Sequence, residues 1–217
     1  MKRHNMNALV TSAAVLAALV TATPAFAGPP LLCHPFEIGT ARSLPWDGGW
    51  SQGKADYKVA NVVADTEALL TSSMPVVVRM ETLRRAALYA STNAQIANQL
   101  LSRLLARADA SEAAGRPDAM ALLDAAYVAE AFREIASLPG ADFAPRVEGA
   151  RATLGHADGY ALISKSISAR PDDPAIQFAA ALIAADENRA RYTDHAAKAR
   201  AGAARDPLLA RNISHVQ

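Results

Sequence analysis

The stretch DAMALLDAAYVAEAFREIASL, residues 118–138, decides the fold class. Its apolar side chains recur with the helical period and occupy almost every side of the helix that they would form: Met120, Leu122, Leu123, Tyr127, Val128, Phe132 and Ile135. A helix that is apolar all round has to be enclosed by other elements. We therefore expect a central helix that starts after Gly115-Arg116-Pro117 and ends at Pro139-Gly140.

Helical spacing continues on both sides of this central stretch. From about Asp56 onward, apolar residues recur three or four positions apart, with breaks at Met74-Pro75 and Ser91-Thr92. Shorter helices are expected in the last third, over about 145–154, 158–169, 174–185 and 190–204. No segment alternates with period two for long enough to form a strand. The sequence predicts an all-α protein, built either from antiparallel helical hairpins or as an irregular bundle.

Residues 1–27 have the pattern of a secretory signal peptide. A positively charged start is followed by an uncharged apolar run over 8–20 and by the cleavage signal Ala25-Phe26-Ala27. We expect cleavage after Ala27 and a periplasmic or secreted bacterial protein without a membrane span afterwards. Two alternatives stay open. A membrane anchor would need a longer apolar run, and a lipoprotein modified at Cys33 would need a small residue in place of Leu32.

The remaining chain divides into an irregular arm, residues 28–55, and a single helical domain, residues 56–217. Glycines and prolines interrupt every regular period within the arm. The arm nevertheless carries both tryptophans, Trp46 and Trp50, together with several large aliphatic side chains. A disordered tail would lack such side chains. We therefore expect the arm to pack on the helical body.

A weak repeat marks the last third of the chain. SARPDDP, residues 168–174, recurs loosely as AARDP, residues 203–207, so that two Asp-Pro pairs lie 33 residues apart. Over about 142–212 the chain resembles tetratricopeptide-type helical hairpins, whose repeat is about 34 residues. The large aromatic of that family's first helix is missing, and Ser166 and Gly202 correspond loosely to its small residue. The resemblance implies stacked hairpins.

A second resemblance covers the arm and the first half of the helices. It rests on CHPFEIG at 33–39, SLPW at 43–46 and RMETLRRA at 79–86. In these segments the chain resembles a group of uncharacterised exported bacterial proteins. The resemblance implies export and assigns no activity.

Composition excludes several classes of function. The formal net charge is +1, which gives no electrostatic case for nucleic acid or for an anionic membrane surface. The single cysteine excludes an internal disulfide and a zinc site built on several thiolates. No cofactor is indicated.

Cys33-His34 is the sharpest local feature, because a thiolate is both a nucleophile and a soft metal ligand. Four interpretations remain open for Cys33: a buried structural residue, a disulfide to a partner, a metal or haem contact, and a reactive thiol. The other histidines of the exported chain, His156, His195 and His215, are far apart in sequence. We expect them to be solvated or to cap helices, without a shared metal site.

Trp46 and Trp50 either pin the arm to the helices or stack on a ligand or partner. Arg79, Arg84 and Arg85, with Glu81 one turn before Arg85, are expected to form a solvated helix face, and an anion site is the alternative.

No G-x-S-x-G, P-loop or G-x-G-x-x-G motif is present, and the chain is interpreted as leaning towards a non-enzyme. The first functional hypothesis is a protein-protein interaction module that binds another exported protein. The alternative is a small-molecule or metal-binding protein that uses Cys33, His34 and Trp46. An enzyme with an unrecognised site is the third.

Overall fold

The computed structural model describes residues 30–216, so the predicted signal peptide lies outside the described residues. Within that range the α-helices are α1 Val62–Leu69, α2 Val76–Ala90, α3 Ala94–Ala113, α4 Ala119–Ala136, α5 Ala144–Arg151, α6 Gly159–Ala169, α7 Pro174–Ala184, α8 Arg189–Gly202 and α9 Pro207–Asn212. Short 3-10 turns occupy Val59–Asn61, Ala141–Phe143, Ala203–Arg205 and Ile213–His215. The all-α prediction is confirmed.

Two details differ from the sequence prediction. The arm contains a small antiparallel hairpin, β1 Trp46–Gly48 paired with β2 Gln52–Gly53, which is too short to show a period of two. Gly48 and Gly49 both have positive φ, as its tight turn requires. The first α-helix starts at Val62, later than the expected Asp56.

Helix α4 is the predicted central helix. The side chain of Asp118 accepts hydrogen bonds from the amides of Met120 and Ala121 and so caps its first turn. Between Ala119 and Ile135 only Ala129 and Arg133 are more than slightly exposed. Helices α2, α3, α5, α6 and α7 all pack against it. The all-round apolar pattern is thus explained by enclosure on every side.

The last third is a succession of packed neighbours, in which α7 contacts both α6 and α8. Asp173 and Asp206, from the two related Asp-Pro pairs, cap α7 and α9 with their carboxylates. A Cβ at Gly202 would meet that of Pro174 at 2.3 Å, so a small residue is required there. The Ser166 hydroxyl donates to the carbonyl of Ala119 at 2.7 Å. Antiparallel helical hairpins are consistent with this arrangement, and the tetratricopeptide likeness stays a prediction.

The arm contributes to the same hydrophobic core as the helices. Its buried apolar side chains are Leu31, Leu32, Phe36, Ile38 and Leu44. None of the helices in the described range is long and apolar enough to cross a membrane.

Candidate functional site

The polar side chains of α2 point inward. The sequence pattern predicts a solvated face for Arg79, Glu81 and Arg84, and this prediction is wrong. Arg79 is 1% exposed, and Glu81 and Arg84 are both 0% exposed. Only Arg85 remains partly exposed. The apolar residues of α2 recur with the predicted helical spacing and are buried, but the arm covers the opposite side of this helix.

Glu81 is the centre of a buried charge cluster. Its carboxylate accepts hydrogen bonds from Arg84 through Nε and Nη2, both at 2.8 Å, and from Arg85 Nε at 2.7 Å. The Phe36 amide donates to it at 3.1 Å. Burial alone raises the pKa of Glu81, but the hydrogen bonds and charges of Arg84 and Arg85 outweigh it and hold the pKa below its usual value.

The two arginines also bind the backbone of the arm. Arg84 Nη1 donates to the carbonyls of Leu32 at 3.3 Å and Trp50 at 2.5 Å. Arg85 Nη1 donates to the carbonyl of Leu44 at 2.6 Å. An irregular segment has no ladder or helix to satisfy its carbonyls, and the buried guanidinium groups supply the missing donors. The candidate anion site is therefore occupied by the protein's own carboxylate and carbonyls.

Other helices hold further points of the arm. The Leu31 amide donates to both carboxylate oxygens of Glu134, at 3.0 and 3.2 Å. The hydroxyl of Tyr127 donates to the Leu31 carbonyl at 3.0 Å. The side-chain amide of Asn212 accepts from the Glu37 amide at 2.8 Å and donates to its carbonyl at 3.0 Å. These contacts fix the arm from Leu31 to the hairpin.

Arg79 lies apart from this cluster. Its guanidinium donates to both oxygens of Asp124, at 2.9 and 2.7 Å, and to the carbonyl of Thr71 at 2.5 Å. Its Nε has no hydrogen-bond partner among the described residues. Burial raises the pKa of Asp124 to about 6, although Arg79 and Arg107 act in the opposite direction. Arg79 therefore ties α2 to α4 and offers no free fork to an anion.

Trp46 lies on strand β1 of the arm hairpin, and Trp50 lies in the turn between its two strands. The Trp46 ring lies beneath the guanidinium groups of Arg84 and Arg85, with centroid distances of 5.0 and 5.9 Å. Trp50 packs on Phe143, with ring centroids 5.2 Å apart. Both indoles are partly buried. Of the two interpretations, these contacts agree with tryptophans that pin the arm to the helices.

Cys33 and His34 point to different surroundings. Cys33 is half-buried. Burial raises the pKa of its thiol, and the charge of Glu134 raises it further. His34 lies against His215, with ring centroids 5.9 Å apart. The sequence pattern does not predict this contact. The part of the chain that the structure describes contains no group of three or more His, Cys, Asp or Glu side chains suited to a metal ion.

His195 is neither solvated nor a helix cap, which corrects the sequence expectation. It joins three helices through hydrogen bonds with Tyr160 at Nε2, 2.9 Å, and with Gln177 at Nδ1, 2.7 Å. Burial lowers its pKa. Gln177 and His195 are both buried, so the chain of three side chains is a structural tie between α6, α7 and α8.

A cleft of about 600 Å³ opens between the arm, α1 and the start of α2; we call it the arm cleft. Its lining is mostly apolar: Ala41, Leu44, Pro45, Ala68, Leu69, Met74, Pro75 and Val78. Its ionisable groups are Arg42, Asp65 and Tyr57. The hydroxyl of Tyr57 donates to one carboxylate oxygen of Asp65 at 2.7 Å. None of the candidate residues from the sequence analysis lines the cleft.

Sequence reasoning missed the arm cleft because its walls come from segments with no common motif. Arg42 is an exposed arm residue, Asp65 lies on α1 and Val78 on α2. Comparison of the chain with known protein families, with curated proteins and with solved structures finds no match.

Proposed function

We propose that the protein is a non-enzymatic exported binding protein that docks a segment of another exported protein in the arm cleft. The observation that carries the proposal is the cleft itself, a mainly apolar depression with the exposed cation Arg42 at its rim. The inward-facing arginines of α2 support it indirectly, because they remove the competing anion site.

The arm wall of the cleft is held rigidly. Arg85 binds the Leu44 carbonyl, and the hydroxyls of Ser43 and Thr82 lie 2.9 Å apart within one hydrogen bond. The Tyr89 hydroxyl donates to the Pro45 carbonyl at 2.7 Å. A cleft that is formed before binding costs little conformational entropy when it is filled.

The lining supports an occupant of defined chemistry. Leu69 and Met74 are partly exposed and present an apolar surface to the cleft. Arg42 makes no ion pair or hydrogen bond within the described residues, so its charge is available to a partner. The complementary segment therefore carries an apolar side chain next to a carboxylate. A small molecule with an apolar body and a carboxylate is the competing occupant.

The alternative, a ligand held by Cys33, His34 and Trp46 together, has less support. Trp46 lies against Arg84 and Arg85, whereas His34 lies against His215. The three side chains therefore make separate contacts, and none of them lines the arm cleft.

The test is site-specific photocrosslinking in the exported fraction. A photoreactive phenylalanine analogue replaces Ala68, an exposed residue in the cleft wall, and the control carries it at Ala152, exposed at the end of α5. We expect one specific adduct from position 68 and none from 152. The adduct protein, once identified and purified, should bind the wild type at least tenfold more tightly than the Arg42→Glu variant, because the rim charge is reversed.

Three results would overturn the proposal: no specific adduct at position 68, the same adduct from both positions, or full affinity of Arg42→Glu for the identified partner. Native mass spectrometry adds a fourth. An organic molecule that copurifies with the wild type and is lost when Ala68→Trp fills the cleft would replace the protein partner by a small ligand.

A further inference from the structure

Two histidines from opposite ends of the chain meet where the arm crosses the C-terminal turn. His34 belongs to the arm and His215 to the 3-10 turn Ile213–His215. Their ring centroids are 5.9 Å apart, with the planes at 70°. Both side chains are partly exposed.

The His215 ring is held in place, and one of its nitrogens is unsatisfied. The ring stacks on Phe36 at 5.2 Å with an angle of 22°, and it also approaches Phe178. Its Nδ1 is buried and has no hydrogen-bond partner among the described residues. A buried polar atom without a partner is costly and calls for an explanation.

We propose that His34 and His215 together bind one divalent transition-metal ion, Cu²⁺ or Zn²⁺, which clasps the arm to the C-terminal turn. Imidazole nitrogens are good ligands for these ions. With nitrogen–zinc distances of about 2.0–2.1 Å, two imidazoles on one tetrahedral ion have centroids roughly 5 Å apart, and wider angles bring the separation to roughly 6 Å. The observed distance falls in that range.

The His215 ring is fixed between Phe36 and Phe178, so it does not have to be ordered before it binds an ion. The Glu37 carboxylate is close enough to His215 to act on it electrostatically, and its negative charge would offset part of the charge of a cation. Because two side chains do not complete a coordination shell, water occupies the remaining positions. We therefore expect a site of moderate affinity that stabilises the folded chain.

The experiment uses the untagged protein from Gly28 onward, with CuSO₄ and ZnSO₄ as the probes. Electron paramagnetic resonance of the Cu²⁺ complex should show two coordinating nitrogens in the wild type and fewer in His34→Ala. Calorimetry should give one ion per chain, with an affinity reduced at least tenfold by His34→Ala or His215→Ala. The matched control is His156→Ala, since His156 is exposed and lies on the loop before α6.

Zn²⁺ should also raise the Tm of the wild type and of His156→Ala, and leave that of His34→Ala unchanged. His34 makes no hydrogen bond within the described residues, so its removal does not threaten folding even if His215→Ala proves unstable. The proposal is wrong if His34→Ala binds as tightly as the wild type, if His156→Ala loses as much affinity, or if the copper spectrum lacks the two-nitrogen pattern.

Discussion

Arg84 donates to both carboxylate oxygens of Glu81, one turn away on α2, and neither side chain is exposed to solvent. Two charges are thus fully enclosed between a helix and an irregular arm. Such a pair contributes little net free energy to folding, because the desolvation of two charges cancels most of their attraction. Its further contacts, to Phe36, Leu32 and Trp50, indicate that it sets the path of the arm.

Replacement of Glu81 by alanine should destabilise the protein by about 3–5 kcal/mol, because Arg84 and the Phe36 amide would remain buried without their partner. Urea unfolding measures the free energy, and limited proteolysis reports whether the arm detaches. Glu148→Ala, at an exposed position on α5, is the control and should change stability by less than about 0.5 kcal/mol. A Glu81→Ala protein as stable as this control would contradict the assigned role.

Removal of Asp124 alone should destabilise the protein more than replacement of both members of the Arg79–Asp124 ion pair. Asp124→Ala leaves the Arg79 guanidinium buried and unpaired, at a cost of about 3–5 kcal/mol. The double variant Arg79→Met with Asp124→Leu should recover most of that loss, since apolar side chains of similar volume replace both charges. Denaturant titration of the three proteins measures the difference.

The exposed pair Lys198 and Asp194 is the comparison for this cycle, and Asp194→Ala should cost less than about 1 kcal/mol. If the double variant of the buried pair were as unstable as Asp124→Ala, the pair would have to contribute more than charge neutralisation.

Glu134 should make stability depend on pH. Burial raises its pKa well above the usual value, and the charges of Asp186 and Glu130 add to this, whereas the Leu31 amide acts against it. A raised folded-state pKa stabilises the fold below the unfolded pKa of about 4.3, and that contribution is lost as the pH rises through the folded value. Glu134→Gln keeps an acceptor for the Leu31 amide and does not ionise.

Wild type and Glu134→Gln should therefore be similarly stable at pH 4, and the variant should become progressively more stable than the wild type as the pH rises to 8. Unfolding free energies at four or five pH values test this, with Glu148→Gln as the exposed control. A difference that does not change with pH would mean that Glu134 has the same pKa in both states.

Cys33 should be a poor nucleophile. Its pKa is raised by burial and by Glu134, so little thiolate is present at pH 7.5. We expect alkylation by iodoacetamide to be at least tenfold slower in the native protein than in the same protein unfolded in urea, followed by intact mass. Rapid, stoichiometric labelling of the native protein would restore the interpretation of Cys33 as a reactive thiol.

The fold class and the central helix were predictable, because each depends on a local pattern. The period of residues 118–138 and the break at Pro139-Gly140 define α4 to within two residues at each end. The predicted helix start at residue 174, within the first Asp-Pro pair, likewise matches the start of α7. Hydrophobic period and capping chemistry are properties of neighbours in sequence, and the sequence contains them completely.

The environment of the α2 charges was not predictable. A helix face with Arg79, Glu81 and Arg84 is ordinarily solvated, and only the tertiary path of the arm brings carbonyls and amides to it. The arm cleft and the His34–His215 pair depend on the same long-range meeting of segments. The sequence by itself determined the all-α class, the central helix and the presence of an irregular apolar arm. The tertiary structure alone decided which charges are buried and which surface stays open, because burial depends on contacts between residues far apart in the chain.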